Sequence, residues 1–193
     1  MPTIMTNFMF LIFSLTTLTV CNAQTSNSLH QSDIDLINFI LKDERFGIKL
    51  VSEMTEYNLS EIKKYAARNF FLNRMVDEND RDISDTIKLS KQDKYEIVKQ
   101  VENLKKFKWT LTDAKKINLN NVSIISYDSS INSNLAYAIK YHIVPPIYFK
   151  ANQYCILSYS YSCGVLCGHG QITIYKRTHN GWKRWNSLAW WDE

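Results

Sequence analysis

The hydrophobic period of this chain changes from helical to alternating near residue 120, and that switch restricts the fold more than any single motif. Before it, apolar residues recur at helix-face spacing: Ile34, Ile37, Ile40 and Leu41 in one stretch, Ile97, Val98, Val101 and Leu104 in another. After it, Leu135, Tyr137, Ile139, Tyr141 and Ile143 occupy alternate positions, as a half-buried strand requires. No internal repeat is present. A helical half followed by a strand-rich half predicts an α+β domain, with N-terminal helices packed on a C-terminal antiparallel β-meander.

Local signals place the elements. Gln24–Gln31 is polar and reads as a disordered lead-in; Ser32 with Asp35 then resembles a capping pair for a helix over 33–43. Ile48–Thr55 fits either strand or helix, and Ser60 opens a second helical run, Glu61–Leu72. Ser90, with Asp93 three residues on, caps a third helix that runs to Leu104. Asp77–Asp85 invites comparison with a calcium loop because Asp80, Asp82 and Ser84 alternate. Asp85 stands where that loop needs glycine, however, and Lys91 where it needs a bidentate Glu, so a solvated acidic loop is expected. Strands are predicted at Val122–Tyr127, at Leu135–Val144 up to Pro145-Pro146, at Ile147–Phe149 and at Tyr154–Tyr161. Gln171–Arg177 and Trp182–Leu188 complete the set, joined by a hairpin across Asn180-Gly181. The organisation is one domain over 32–193, helical over 32–110 and β-rich over 120–190.

Phe8–Val20 is an uncharged apolar run, short for a bilayer span, and Cys21-Asn22-Ala23 follows it with a small-x-Ala pattern. A signal peptide over 1–23 and an exported, periplasmic or extracellular protein are the expectation. The alternative is a lipoprotein anchored through Cys21, although Leu18-Thr19-Val20 lacks the small residue wanted just upstream. No further stretch is apolar enough to predict a transmembrane span. The net charge of +4 is modest, and basic and acidic residues are interspersed, which argues against a nucleic-acid partner.

Three of the four cysteines, Cys155, Cys163 and Cys167, lie in one short segment. Gly164, Gly168 and Gly170 let the chain reverse there, so Cys163 and Cys167 can come within disulfide reach at the tip of a hairpin. In an exported chain a structural disulfide is the first reading. Cys155 shares an alternating face with Leu157, Tyr159 and Tyr161 and reads as a small buried apolar residue, with a Cys155–Cys167 bond as the other pairing. Redox activity is disfavoured, because the spacing is one residue longer than Cys-x-x-Cys and no helix start follows. Metal binding by Cys163, Cys167 and His169 lacks a local fourth ligand unless His142 or His179 converges on it.

Nothing else assembles a catalytic set. The chain has no Gly-x-Ser-x-Gly elbow, phosphate-cradling loop, dinucleotide fingerprint or His-Glu-x-x-His helix, so no catalytic residue and no cofactor are expected. His30 lies in the polar lead-in, and His142 shares a face with Lys140 and reads as exposed. A Cys155–His142 pair has no orienting partner in view. Trp182, Trp185, Trp190 and Trp191 crowd the C-terminus; most should bury against the helices, but Trp182 and Trp185 alternate to opposite faces. Trp190 and Trp191, next to the chain end, are the candidates for contact with a partner.

Pro146–Phe149, Tyr154-Cys155, the run from Tyr159 to Gly170, Tyr175-Lys176 and Gly181-Trp182-Lys183 resemble a recurring pattern in a group of exported bacterial proteins of Bacteroidetes type. The group's mark is Cys-Gly-x-Leu-Cys-Gly-x-Gly between two strands, followed by Gly-Trp-Lys. The resemblance implies bacterial export and carries no catalytic role. Together these readings lead to a non-enzymatic exported protein that binds a partner or belongs to the cell envelope, an inhibitor or immunity-type protein being the specific version. A thiol-redox or metal-dependent protein centred on Cys163, Cys167 and His169 is the alternative.

Overall fold

A mixed β-sheet forms the middle layer, with helices against both faces. The computed structural model describes residues 29–42, 48–76, 82–117, 122–126, 139–163 and 167–192. In chain order the elements are α1 (Gln31–Leu41), β1 (Lys49–Val51), α2 (Glu56–Ala66), β2 (Phe70–Val76), β3 (Asp82–Lys88), α3 (Lys91–Leu104) and α4 (Leu111–Lys116). β4 (Ser123–Ile125), β5 (Lys140–Ile143), β6 (Ile147–Phe149), β7 (Tyr154–Ser162), β8 (Gly168–Thr178) and β9 (Gly181–Asp192) follow. The main sheet runs β4-β1-β5-β7-β8-β9, with β6 also paired to β7. From β5 to β9 every pairing is antiparallel. The fold is α+β, as the change of period predicts.

Two features depart from a simple meander. β1 comes from the helical half and inserts between β4 and β5, parallel to both. The same half also contains an antiparallel hairpin, β2–β3.

Both faces of the sheet are covered because its strands alternate apolar residues to each side. Ile156, Ile172 and Ile174 pack with Leu59 and Ile62 of α2, Ile97 and Val101 of α3, Phe71 of β2 and Trp185 of β9. Cys155, Leu157 and Tyr175 face the other way, against Ile34, Leu36, Ile37 and Leu41 of α1 and against Phe107 and Trp109. Trp109 also donates its indole N–H to the Ile143 carbonyl at 2.9 Å, so its polar atom is satisfied inside the core. A sheet enclosed on both sides accounts for Trp182 and Trp185 on opposite faces: Trp185 belongs to the first cluster, and Trp182 packs partly buried on the second. Among the described residues no helix is long and apolar enough to cross a membrane.

Several sequence expectations need correction. α1 starts earlier than Ser32 implies: the His30 N–H donates to Asp33 Oδ2 at 2.8 Å, and Leu29 is buried, so the end of the expected lead-in belongs to the fold. The helix expected over Glu61–Leu72 begins instead at Glu56, where Thr55 accepts from the Asn58 N–H, and it stops at Ala66. Phe70–Leu72 are strand, because Phe71 must point into the core while Phe70 points out, an alternation that a helix cannot provide. Asp82–Asp85, the described part of the expected acidic loop, pair as β3. On α3 the Ser90–Asp93 capping box is present, but Val98 is exposed and lies outside the buried stripe. The final hairpin turns at His179-Asn180, with Gly181 alone taking the left-handed conformation (φ 103°), in the manner of a turn followed by a glycine bulge. The signal segment and residues 24–28, 77–81 and 127–138 fall outside the described residues.

Candidate functional site

The β7–β8 reversal and the end of β9 bring most of the sequence candidates together. β7 pairs with β8 from Tyr154↔Lys176 to Ser162↔Gly168, which carries Cys163 and Cys167 past the ends of the two strands. Their Cα atoms are 5.1 Å apart and their sulfurs stand at disulfide distance. The Cys163 N–H donates to the Cys167 carbonyl at 2.7 Å, closing the same tip through the backbone. Cys155 is a free thiol, fully buried in the sheet, and burial pushes its pKa above the ordinary thiol range. A thiol held neutral and away from solvent makes a poor nucleophile or ligand.

His169 faces Tyr161 across the strands and engages Asp192, Nδ1 lying 2.7 Å from Oδ1. That contact directs the imidazole toward the end of β9. Among the described residues no group of three or more His, Cys, Asp or Glu is placed to hold a metal ion. His142, expected to be exposed, is partly buried, and burial followed by the Lys140 charge lowers its pKa. His179 lies exposed in the hairpin turn.

The neighbouring tryptophans have different environments. Trp191 lies opposite Gly170, and a Cβ built on that glycine would fall 2.6 Å from the indole Nε1 and closer still to Cε2 and Cζ2. The ring also meets Tyr57 of α2 edge-on, with centroids 6.1 Å apart, and packs against the first core cluster. Trp190 points to the opposite face, beside Gln171, and is 69 % exposed. The paired candidates therefore separate: Trp191 is a packing residue and Trp190 a surface one. Gln171, which follows Gly170, donates to the Tyr159 hydroxyl and accepts from Thr173 Oγ1 at 3.2 Å, so a polar chain lies beneath Trp190.

A second polar assembly has no obvious sequence signature. The Tyr148 hydroxyl donates to Asp33 Oδ1 at 2.5 Å, while the Gln100 amide bonds both backbone groups of Tyr148, at 2.8 Å to its N–H and 2.7 Å to its carbonyl. Gln100 thus completes the outer edge of β6 as a neighbouring strand would. Burial raises the Asp33 pKa, with Tyr148 and His30 opposing it. The adjoining turn holds Lys150, Ala151 and Asn152 at φ of 52°, 51° and 63°. Asp93 fastens it, accepting from the Lys150 N–H at 3.3 Å and pairing with its ammonium at 2.8 Å. Burial of Asp93 is outweighed by Lys150 and Ser90, and its pKa falls to about 2. Comparisons with protein-family models, curated proteins and solved structures find nothing that matches the chain.

Proposed function

We propose that this protein is an exported, non-enzymatic binding domain that docks a protein partner in the cell envelope through the β9 end of its sheet. The observation that carries the reading is the solvent-facing indole of Trp190, one residue from an indole that is packed. A large aromatic held on an edge strand has little conformational freedom left to lose on binding, and tryptophan is favoured among interface anchors. The thiol pair at disulfide distance and the apolar leader Phe8–Val20 support export. An inhibitor or immunity-type role is the specific version of this reading.

The experiment captures partners from envelope extract with the mature protein, its Trp190→Ala variant, and Leu111→Ala as an equally apolar control at a site that is also exposed. Selective loss of a partner with Trp190→Ala supports the reading. Equal recovery by all three proteins overturns it. Mass spectrometry of the secreted chain tests export directly: a terminus at Gln24 fits signal cleavage, a lipidated Cys21 gives the anchored form, and an intact Met1 or its Pro2 product removes the exported part of the proposal.

A further inference from the structure

We propose that the groove between the start of α1, α3 and the β6–β7 turn binds a uronic-acid sugar, a monoanion rich in hydroxyl groups. The groove measures about 610 Å³ and lies apart from Trp190. That volume falls within the usual range for small-molecule sites and admits one or two sugar rings.

Its charge selects an anion. Lys99 and Arg177 line it, and among the described residues neither makes an ion pair with a carboxylate. Among the described residues Glu96 is the one carboxylate of the lining, and its Oε1 already accepts from Gln92 at 2.9 Å. Two cations against one acid leave a single positive charge in excess, which matches one ligand carboxylate. Asn103 and Asn152 add neutral donors and acceptors suited to hydroxyl groups. Tyr148 supplies an aromatic surface for the C–H face of a sugar ring, and its own ring is backed by Trp182 at 6.0 Å.

The walls are fixed in advance. Tyr148 is held at both ends, its hydroxyl by Asp33 and its backbone by Gln100. Arg177 is held through its N–H, which donates to the Gln153 carbonyl at 2.8 Å, and its guanidinium lies over the Trp182 ring. Asn152 ends a run of left-handed, non-glycine residues that costs energy to maintain. Asp93 maintains it through Lys150. Strain kept at the rim of a preorganised polar groove is what a positioning role for Asn152 would require.

The test is an amide chemical-shift titration of the mature protein with D-glucuronate, D-glucose and inorganic phosphate, each to tens of millimolar at constant ionic strength. Saturable shifts with glucuronate, centred on Tyr148, Asn152 and Arg177 and much weaker with the other two, are expected. Lys99→Gln and Arg177→Gln should each weaken glucuronate binding about fivefold or more, with otherwise unchanged spectra. Val98→Ser, on the exposed part of the same helix, should leave affinity unchanged. No saturable response to glucuronate, an equal response to glucose or phosphate, or unaltered affinity in both charge variants would each overturn the proposal.

Discussion

The indole of Trp191 covers Gly170, its partner across the β8–β9 ladder, closely enough to occupy the space a Cβ would need. The second glycine of Cys-Gly-His-Gly is thereby explained by a ring supplied from the end of β9. Gly170→Ala should destabilise the protein by about 1–3 kcal/mol, the range for forcing a carbon into a packed region. Urea unfolding of Gly170→Ala, Trp191→Ala and the double variant checks it: the alanine should cost far less once the indole is gone.

Asp93 predicts an acid-dependent loss of stability. Its carboxyl titrates at about 2 in the folded chain against an ordinary 3.8, so the native state binds the proton less readily than the unfolded one. The stabilisation is present above pH 4 and is lost as pH falls toward 2, amounting to about 2 kcal/mol. In Asp93→Asn that part of the pH dependence should disappear from denaturation curves, and Lys150→Met should reduce it.

The Asp33 carboxyl carries the opposite sign. Burial raises its pKa, so this group favours the folded state more as pH falls through its folded value, and Asp33→Asn should flatten that contribution. Tyr148→Phe removes a hydroxyl that lowers the pKa, and the carbon resonance of the Asp33 carboxyl should then titrate at higher pH. The same variant should cost about 1–3 kcal/mol, since a buried acceptor loses its donor.

Reducing the Cys163–Cys167 pair should cost about 2 kcal/mol, because the loop it closes is short. The double Cys163→Ser, Cys167→Ser variant should therefore remain folded with a lower melting temperature. An alkylating reagent should leave Cys155 unmodified in the native protein and label it only on unfolding, since that side chain has no exposed surface.

The elements legible in the sequence are those whose own side chains settle their conformation. α3 carries its cap and its stripe, and β7, β8 and β9 carry long alternating runs bounded by turn residues. The start of β2 is not legible, because Phe70–Leu72 continue a run of helix formers and fit a helix equally well until their separate fates, Phe71 inside and Phe70 outside, are known. The β-prone composition of Phe70–Val76 and the alternation of Ile83 and Ile87 were the available signals. The clip and the buried Cys155 followed from spacing and alternation. The Tyr148–Asp33–Gln100 assembly did not, because its members lie far apart in sequence and each is an ordinary surface-type residue until the fold joins them.

β1 contributes only Lys49–Val51 to the main sheet, yet it is the strand that links β4 to β5. The strand-rich region therefore cannot close from its own residues; it needs a segment more than seventy residues earlier in the chain. Such long-range closure slows folding and ties the two regions into one cooperative unit. Expressed alone, residues 120–193 would leave β4 unattached beside an open strand, a template for aggregation instead of an autonomous module.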